Sequence, residues 1–381
     1  MKHNNLKRYT RNVALGIPKF IFKNIYRKPK LIIEVLIHPS KVLAETYFPE
    51  LKRKGRLRIL SDQILNILKY CAIDEYYYMY GLDVKRDIKN NEYVTYIEFM
   101  TERDRLNLSN PHNDSAILRN KLFFESVACS LSIPTPINVA YSDNGILYKL
   151  HQGSSNQINW EKLTELLSDC VIYIKPIDGE CGTGIIKIKI SHGNIYAKGK
   201  PITMSEIKTL CKNGRYIFQK EMIQHHEMSR IYPNSVNTIR MTTVRNPKTG
   251  EIEVLPPTLR IGAHGSYVDN FSKGGVIVAM DTLTGKLAEW GFFKPMYGFK
   301  SKQHPDTKIL FSSFQVPFYQ EAKLKAKHFH SFLNLHSIGW DIAISEEGPV
   351  FIEGNDNWEI NLPQTFANPF KKEFNRLFLS K

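Results

Sequence analysis

The chain has 381 residues, 42% of them hydrophobic and 12% aromatic, and a formal net charge of +15. Such a composition excludes a disordered or low-complexity chain and leaves room for two or three lobes around a real core. No apolar run approaches the roughly 20 residues of a membrane span, and the five scattered cysteines lack the spacing of a zinc cage or a disulfide framework.

The charge is concentrated early. Residues 1–60 hold fifteen Lys/Arg and three Asp/Glu, +12 of the total +15, so the remaining chain carries only +3. From Ile17 to Ile37, apolar Phe20, Ile21, Phe22, Ile25 and Tyr26 are mixed with Lys19, Lys23, Arg27, Lys28 and Lys30. Two readings stand side by side: a surface drawn to anions such as a membrane leaflet, or a solvated helical extension packing on its own protein. No groove-reading or base-stacking module is present, which disfavours nucleic acid. The absence of a compact apolar leader and the cysteine usage predict a reducing, cytoplasmic setting, peripheral at the inner face of the membrane if the basic region docks there.

Helix-like spacing of Leu57, Leu60, Ile64, Ile67, Leu68 and Cys71 predicts a helix over 57–80, stopped at Gly81. A second helix is predicted over 114–131, capped by Asp114 and ended by Pro134. Strand patterns dominate from 137 onward, with helices near 158–169, 203–212 and 318–336. The stretch 296–314 reads as a flexible excursion.

Val171–Lys175 is a β-rich run that leads into Gly179, Gly182 and Gly184, after which Ile186, Ile188 and Ile190 alternate with lysines. Glycines joining two strands differ from phosphate loops that open a helix. Without side chains they can lie over a triphosphate, with Lys175 at the end of the incoming strand. An ordinary glycine-rich turn is the alternative.

His225 and His226 are adjacent, and on a strand they would point opposite ways, against sharing one metal. Thr238, Arg240 and Thr242 fall on one face of the next strand, where Arg240 is a guanidinium suited to clamp a carboxylate or phosphate. Arg260 sits on a further strand, followed by the polar turn Asp269 to Gly275. A surface ion pair is the alternative for each arginine.

Gly339 to Asn355 reads as two strands around a three-residue Glu346-Glu347-Gly348 turn. Counting back from that turn, Ile342 faces Ile352 and Asp341 faces Glu353, with Asn355 on the same face as Glu353. Opposed carboxylates repel and want a shared proton or a cation. With an amide oxygen beside them, the set suits Mg²⁺.

Together these segments resemble the ATP-grasp superfamily. More narrowly, Tyr232-Pro233-Asn234-Ser235-Val236-Asn237-Thr238-Ile239-Arg240, Val268-Asp269-Asn270-Phe271-Ser272 and Gly339-Trp340-Asp341 are similar to its sugar-transfer-associated family, whose members are linked to surface-polysaccharide biosynthesis. The resemblance runs over about 110–365 and implies an α+β fold in which two lobes clasp ATP, preceded by a basic, mainly helical region. The expected divisions are 1–110 and 111–381, with a nucleotide-clasping lobe near 137–228 and a metal and substrate lobe near 229–365.

The resemblance implies roles residue by residue. Lys175 would touch phosphates under the loop formed by Gly179, Gly182, Thr183 and Gly184. Gln219, Glu221 and Ile223 would line the adenine, and Glu227 the ribose. Asp341, Glu353 and Asn355 would hold Mg²⁺. Arg240, with Arg260 beside it, would steady the transferred phosphoryl group, while Asn237, Asp269 and Asn270 would face the substrate. Lys121 approximates a second phosphate lysine of relatives, and Glu125 is the nearer aligned position. The implied activity is an ATP- and Mg²⁺-dependent ligase joining a carboxylate to an amine. The alternatives are a kinase acting on a sugar hydroxyl, or a non-catalytic nucleotide-binding component of a polysaccharide assembly complex.

Overall fold

The computed structural model describes residues 22–379, apart from residues 75, 87–89, 109, 152–153, 168, 180–183 and 365–368. The chain divides into two units. One comprises residues up to Glu102 together with Glu359–Leu379, the other Arg103–Trp358. The segment 359–379, grouped by the sequence with the larger domain, therefore folds with the N-terminal unit.

In the N-terminal unit, a π-helical turn Phe22–Arg27 runs into α1 (Lys28–Ile37), followed by α2 (Arg56–Tyr70) and by the start of α3 (Tyr96–Leu108), of which residues 96–102 belong to this unit. Val35 of α1 packs with Val42 and with Ile67 of α2. The expected helix over 57–80 stops ten residues early. Cys71 takes the left-handed conformation at φ 59° and returns its N–H to the Ile67 carbonyl. That is a glycine's usual position, so no residue type announces the stop. Phe99 packs on Phe374 and Phe378, which the C-terminal helical turns Lys371–Phe374 and Asn375–Leu379 supply.

The larger unit opens with α4 (Ser115–Arg119) and α5 (Lys121–Ser130). The predicted single helix is broken at Asn120, which is extended and whose side chain accepts the N–H groups of Leu122 and Phe123 as the cap of α5. Strands β1 (Asn138–Asp143), β2 (Ile146–His151), β3 (Ser154–Ile158), β4 (Val171–Pro176), β5 (Ile186–Ser191), β6 (Asn194–Ala197), β7 (Lys200–Ile202) and β8 (Arg215–Lys220) form one antiparallel sheet. Its order is β3-β2-β1-β8-β4-β5-β6-β7. Helices α6 (Trp160–Leu166) and α7 (Met204–Leu210) cover its apolar face, where Trp160, Leu163 and Ile207 meet Ile172, Ile188 and Phe218.

A short helix α8 (His226–Ile231) leads to the second sheet. Its strands are β9 (Thr238–Arg245), β10 (Ile252–Val254), β11 (Thr258–Ile261), β12 (Val276–Met280), β13 (Leu287–Phe292), β14 (Lys300–Ser301), β15 (Ser337–Ser345) and β16 (Gly348–Asn355). The order is β14-β13-β12-β11-β9-β15-β16, with β10 beside β9. The helix α9 (Tyr319–Ser331) packs Phe329 onto Trp340 and Phe351 of this sheet. The stretch 296–314, expected to be flexible, carries β14 and is pinned by the buried Phe311 and Phe314.

Candidate active site

Strand order alone brings the chemistry together. On one face of the second sheet, Arg240 of β9 pairs with Asp341 of β15, and Asp341 pairs with Glu353 of β16. The three side chains thus form one row across three neighbouring strands. The hairpin reaches this register by a different route from the expected one. Its turn is shorter, with Ser345 opposite Gly348, so Ile342 faces Phe351; a bulge beside Asp341 then restores Asp341 opposite Glu353.

Asp341 is buried under two guanidinium groups. Arg240 Nη2 donates to Oδ2 at 3.1 Å, and Arg260 Nη1 reaches both oxygens at 3.1 Å. Arg240 Nε lies 2.9 Å from Oδ1, at an angle that makes it an ion-pair contact and not a hydrogen bond. Burial opposes ionisation of Asp341, but the two arginines outweigh it and hold its pKa below the usual range. Glu353 shows the opposite balance: burial and the facing Asp341 raise its pKa. Asn355 Nδ2 donates to Glu353 Oε1 at 3.3 Å, a bond that does not use its amide oxygen. A like-charge pair that resists full ionisation, beside a neutral oxygen, is a donor set that a hard divalent cation would relieve.

Arg260 is fixed in turn. Its Nη2 donates to Asp269 Oδ1 at 2.7 Å and to Asn270 Oδ1 at 3.0 Å, and Thr238 donates to the other oxygen of Asp269. Asp269, expected to face substrate, is therefore engaged by Arg260 and Thr238, while Asn270, expected there too, gives Arg260 its amide oxygen. The turn that carries them closes at Gly274, at φ 94°, and at Gly275, where a Cβ would lie 2.5 Å from the Asp269 carbonyl. Asn237 is also corrected. It is fully buried, and its side chain binds Gln224, Met228 O, Tyr232 O and the Gly262 N–H. It braces the strand that carries Arg240 and offers nothing to a ligand.

On the first sheet, Lys175 closes β4, and its Nζ donates to Gln219 Oε1 at 2.6 Å. Gln219 Nε2 donates to Asn138 Oδ1 at 2.9 Å, and Asn138 Nδ2 donates to Glu125 of α5 at 2.7 Å. Adjacent strands β4, β8 and β1 align this chain, and both amides point the same way, from ammonium to carboxylate. Burial, and then the nearby Lys121, depress the Lys175 pKa to about 8, against an opposing pull from Glu353. Lys175, Lys121 and Glu353 are thus electrostatic neighbours although they come from different sheets and a helix. Lys121 Nζ donates to the Gly179 carbonyl at 2.7 Å, which holds the start of the glycine loop. Gly184 ends that loop at φ 75°. Gly182 and Thr183 lie outside the described residues.

Past β8, Glu221 is held by Tyr173 and Lys187, Ile223 is exposed, and Glu227 pairs with Arg230 at 3.0 Å. His225 and His226 do not point apart. They sit where α8 begins, not on a strand, and their rings stack at 4.2 Å beside Glu346. His225 Nδ1 accepts the Glu227 N–H, so in the neutral ring the proton is on Nε2, facing Glu346, where a metal would need a lone pair. The cluster is a helix cap: Glu346 also takes the His226 N–H at 2.7 Å.

Sequence reasoning missed the Gln219–Asn138–Glu125 chain and the Thr238–Asp269 bond. The first links a helix to two strands distant in sequence and the second links a strand to a turn, and nothing local marks either.

The family described as sugar-transfer associated ATP-grasp matches residues 102–370. Among solved structures, the chain resembles an ADP complex of N5-carboxyaminoimidazole ribonucleotide synthetase, at 13% identity and TM-score 0.41, covering 70% of this chain and 53% of that one. It also resembles D-alanine–D-alanine ligase from Helicobacter pylori, at 12% identity and TM-score 0.39, covering 70% and 59%. A third is D-alanyl-alanine synthetase A from Vibrio cholerae O1 biovar eltor str. N16961, at 11% identity and TM-score 0.37, covering 69% and 60%. The chain thus spans between half and two thirds of these structures. A comparison with curated proteins gives no match.

Proposed function

Because the chain belongs to the sugar-transfer associated ATP-grasp family, we propose that it is an ATP-dependent ligase that activates a carboxylate as its acyl phosphate and passes it to an amine, on a sugar or surface-polysaccharide precursor. The observation that carries this reading is the row Arg240–Asp341–Glu353, with Lys175 within electrostatic reach of Glu353. It brings a lysine whose bonded partner is a neutral amide into electrostatic range of two opposed carboxylates, a combination that suits a metal-bound triphosphate.

Lys175 binds phosphate oxygens, with Gly179 and Gly184 marking the two ends of the glycine segment that follows it. Asp341, Glu353 and the Asn355 amide oxygen would hold Mg²⁺, which supplies charge neutralisation on the phosphates. Arg240, braced by Asp341, presents a guanidinium to the acyl phosphate oxygens. Arg260 is too deeply bound to Asp269 and Asp341 to leave, so it acts as a fixed positive wall behind Arg240. A carboxylate oxygen attacks the γ-phosphorus and ADP departs. The amine nitrogen then attacks the acyl carbon and gives up a proton to solvent, the bond from that carbon to the phosphate oxygen breaks, and phosphate leaves. Exclusion of water protects the acyl phosphate between the two steps.

The test is a coupled assay of ADP release, with candidate carboxylates and amines supplied singly and in pairs. Release that requires both, and that falls by at least a hundredfold in Glu353→Gln, is expected. Release with one organic substrate and a stable phosphorylated product would replace the ligase by a kinase. Wild-type turnover in Glu353→Gln would remove the metal assignment.

A further inference from the structure

Among the described residues, helix α1 packs through one of its sides. Val35 is fully buried toward α2, with Leu31 and Ile32 partly buried beside it. On the other side Pro29, Ile33, Leu36 and Ile37 are exposed. At ~100° per residue these four fall within an arc of about 100°. The preceding turn adds Ile25 and Tyr26, so the stripe holds five large apolar side chains that are between 55% and 71% exposed. Single exposed apolar residues are ordinary, but a contiguous stripe calls for a cover.

The surroundings say what kind. Lys30 stands exposed at the edge of the arc, its ammonium 5.8 Å from the Tyr26 ring, and Arg27 and Lys28 are half-buried behind it. Residues 22–60 carry ten Lys/Arg against three Asp/Glu, and no acid occurs before Glu34. A second copy of the same face would bring like charge against like charge. Among the described residues no helix is long and apolar enough to cross a membrane. An apolar stripe bordered by cations instead suits a helix lying in the plane of an interface, and the sign of the charge selects anionic headgroups.

We propose that α1 and the turn before it dock on the surface of an anionic lipid bilayer. Ile25, Tyr26, Ile33, Leu36 and Ile37 enter the acyl boundary, and Arg27, Lys28 and Lys30 lie among the lipid phosphates. The site is independent of the nucleotide chemistry, so either reading can fail alone.

The test is co-sedimentation of the full chain with vesicles of pure phosphatidylcholine, and with vesicles of equal parts phosphatidylcholine and phosphatidylglycerol. Binding to the mixed vesicles alone, weakened by salt, is expected. The triple variant Ile33→Ser/Leu36→Ser/Ile37→Ser should bind them roughly 100-fold more weakly, and Lys30→Gln about fivefold more weakly. All four side chains are exposed, so thermal unfolding and nucleotide titration should be unchanged and serve as controls. Undiminished binding by the triple variant would overturn the proposal. So would equal binding to pure phosphatidylcholine, or loss of all binding on removal of residues 1–21 while the triple variant still binds. A variant that turns a dimer into a monomer, with no vesicle binding by either form, would assign the stripe to self-association instead.

Discussion

Lys175 is a buried ammonium whose bonded partner is an amide oxygen, so at the scale of single residues the site lacks one anion. Burial and Lys121 bring its pKa down to about 8, and a triphosphate would restore it. Below that value the lysine is already charged. Above it, nucleotide binding must take up a proton, and affinity should fall by up to ~10-fold per pH unit. Calorimetry with a non-hydrolysable ATP analogue, in buffers of different ionisation enthalpy, would show this proton uptake. Lys175→Met should weaken binding and flatten the pH profile; a profile unchanged by that substitution would place the titrating group elsewhere. The lysine was legible in the sequence because it ends a strand just before clustered glycines. The same kind of reading misplaced Asn237, whose neighbours in sequence suggest a ligand, while its four hydrogen-bond partners come from helix α8 and the residues flanking it and from Gly262, just past β11.

At the scale of elements, what period and turn chemistry encode was readable, and what long-range contacts impose was not. Alternating isoleucines gave β5, and the opposed Asp341 and Glu353 followed from counting back along a hairpin. The count reached the right pair through a wrong turn length, since no residue type marks the bulge that offsets it. The ending of α2 at Cys71 escaped notice for a similar reason. Helix α9 adds a burden that only the fold reveals. His330 is fully buried; its Nε2 hydrogen meets the Leu335 carbonyl, and its Nδ1 meets the Thr243 hydroxyl, which also accepts from Trp340. Burial lowers its pKa from 6.5 to about 3. The folded ring stays neutral where the unfolded one charges, so stability is complete above 6.5 and is lost as pH falls toward 3, by at most ~1.4 kcal/mol per pH unit. Urea unfolding midpoints on both sides of pH 6.5 should show this loss. The variant His330→Gln should unfold more easily above that pH but lose less below it. Equal acid sensitivity in the two proteins would assign the titration to other groups.

At the scale of the whole molecule, the match over 102–370 fixes the family, and the sequence, through its resemblance to that family, indicated the α+β class that the structure has. It did not foresee that the N-terminal unit borrows the far end of the chain. Phe374, Leu377 and Phe378 are buried there, and Lys371 pairs with Glu98. Removing residues 370–381 should therefore unmask Phe99 and destabilise that unit, by about 3–5 kcal/mol for each lost aromatic, while nucleotide titration continues to report a folded larger unit. Proteolysis of the truncated chain would check this: rapid cutting is expected within the first 102 residues, and a protease-resistant first unit would count against it.

That borrowing also has a consequence in time. Residues 103–358 must be synthesised before the partners of Phe99 exist, and at ~5–20 residues per second this takes roughly 13–50 s. For that interval Phe99 lacks the aromatic cover that Phe374 and Phe378 later give it, while the larger unit can fold as it leaves the ribosome. The unit begun before its neighbour is thus completed after it, and its exposure to chaperones and proteases is set by translation speed as much as by its own stability.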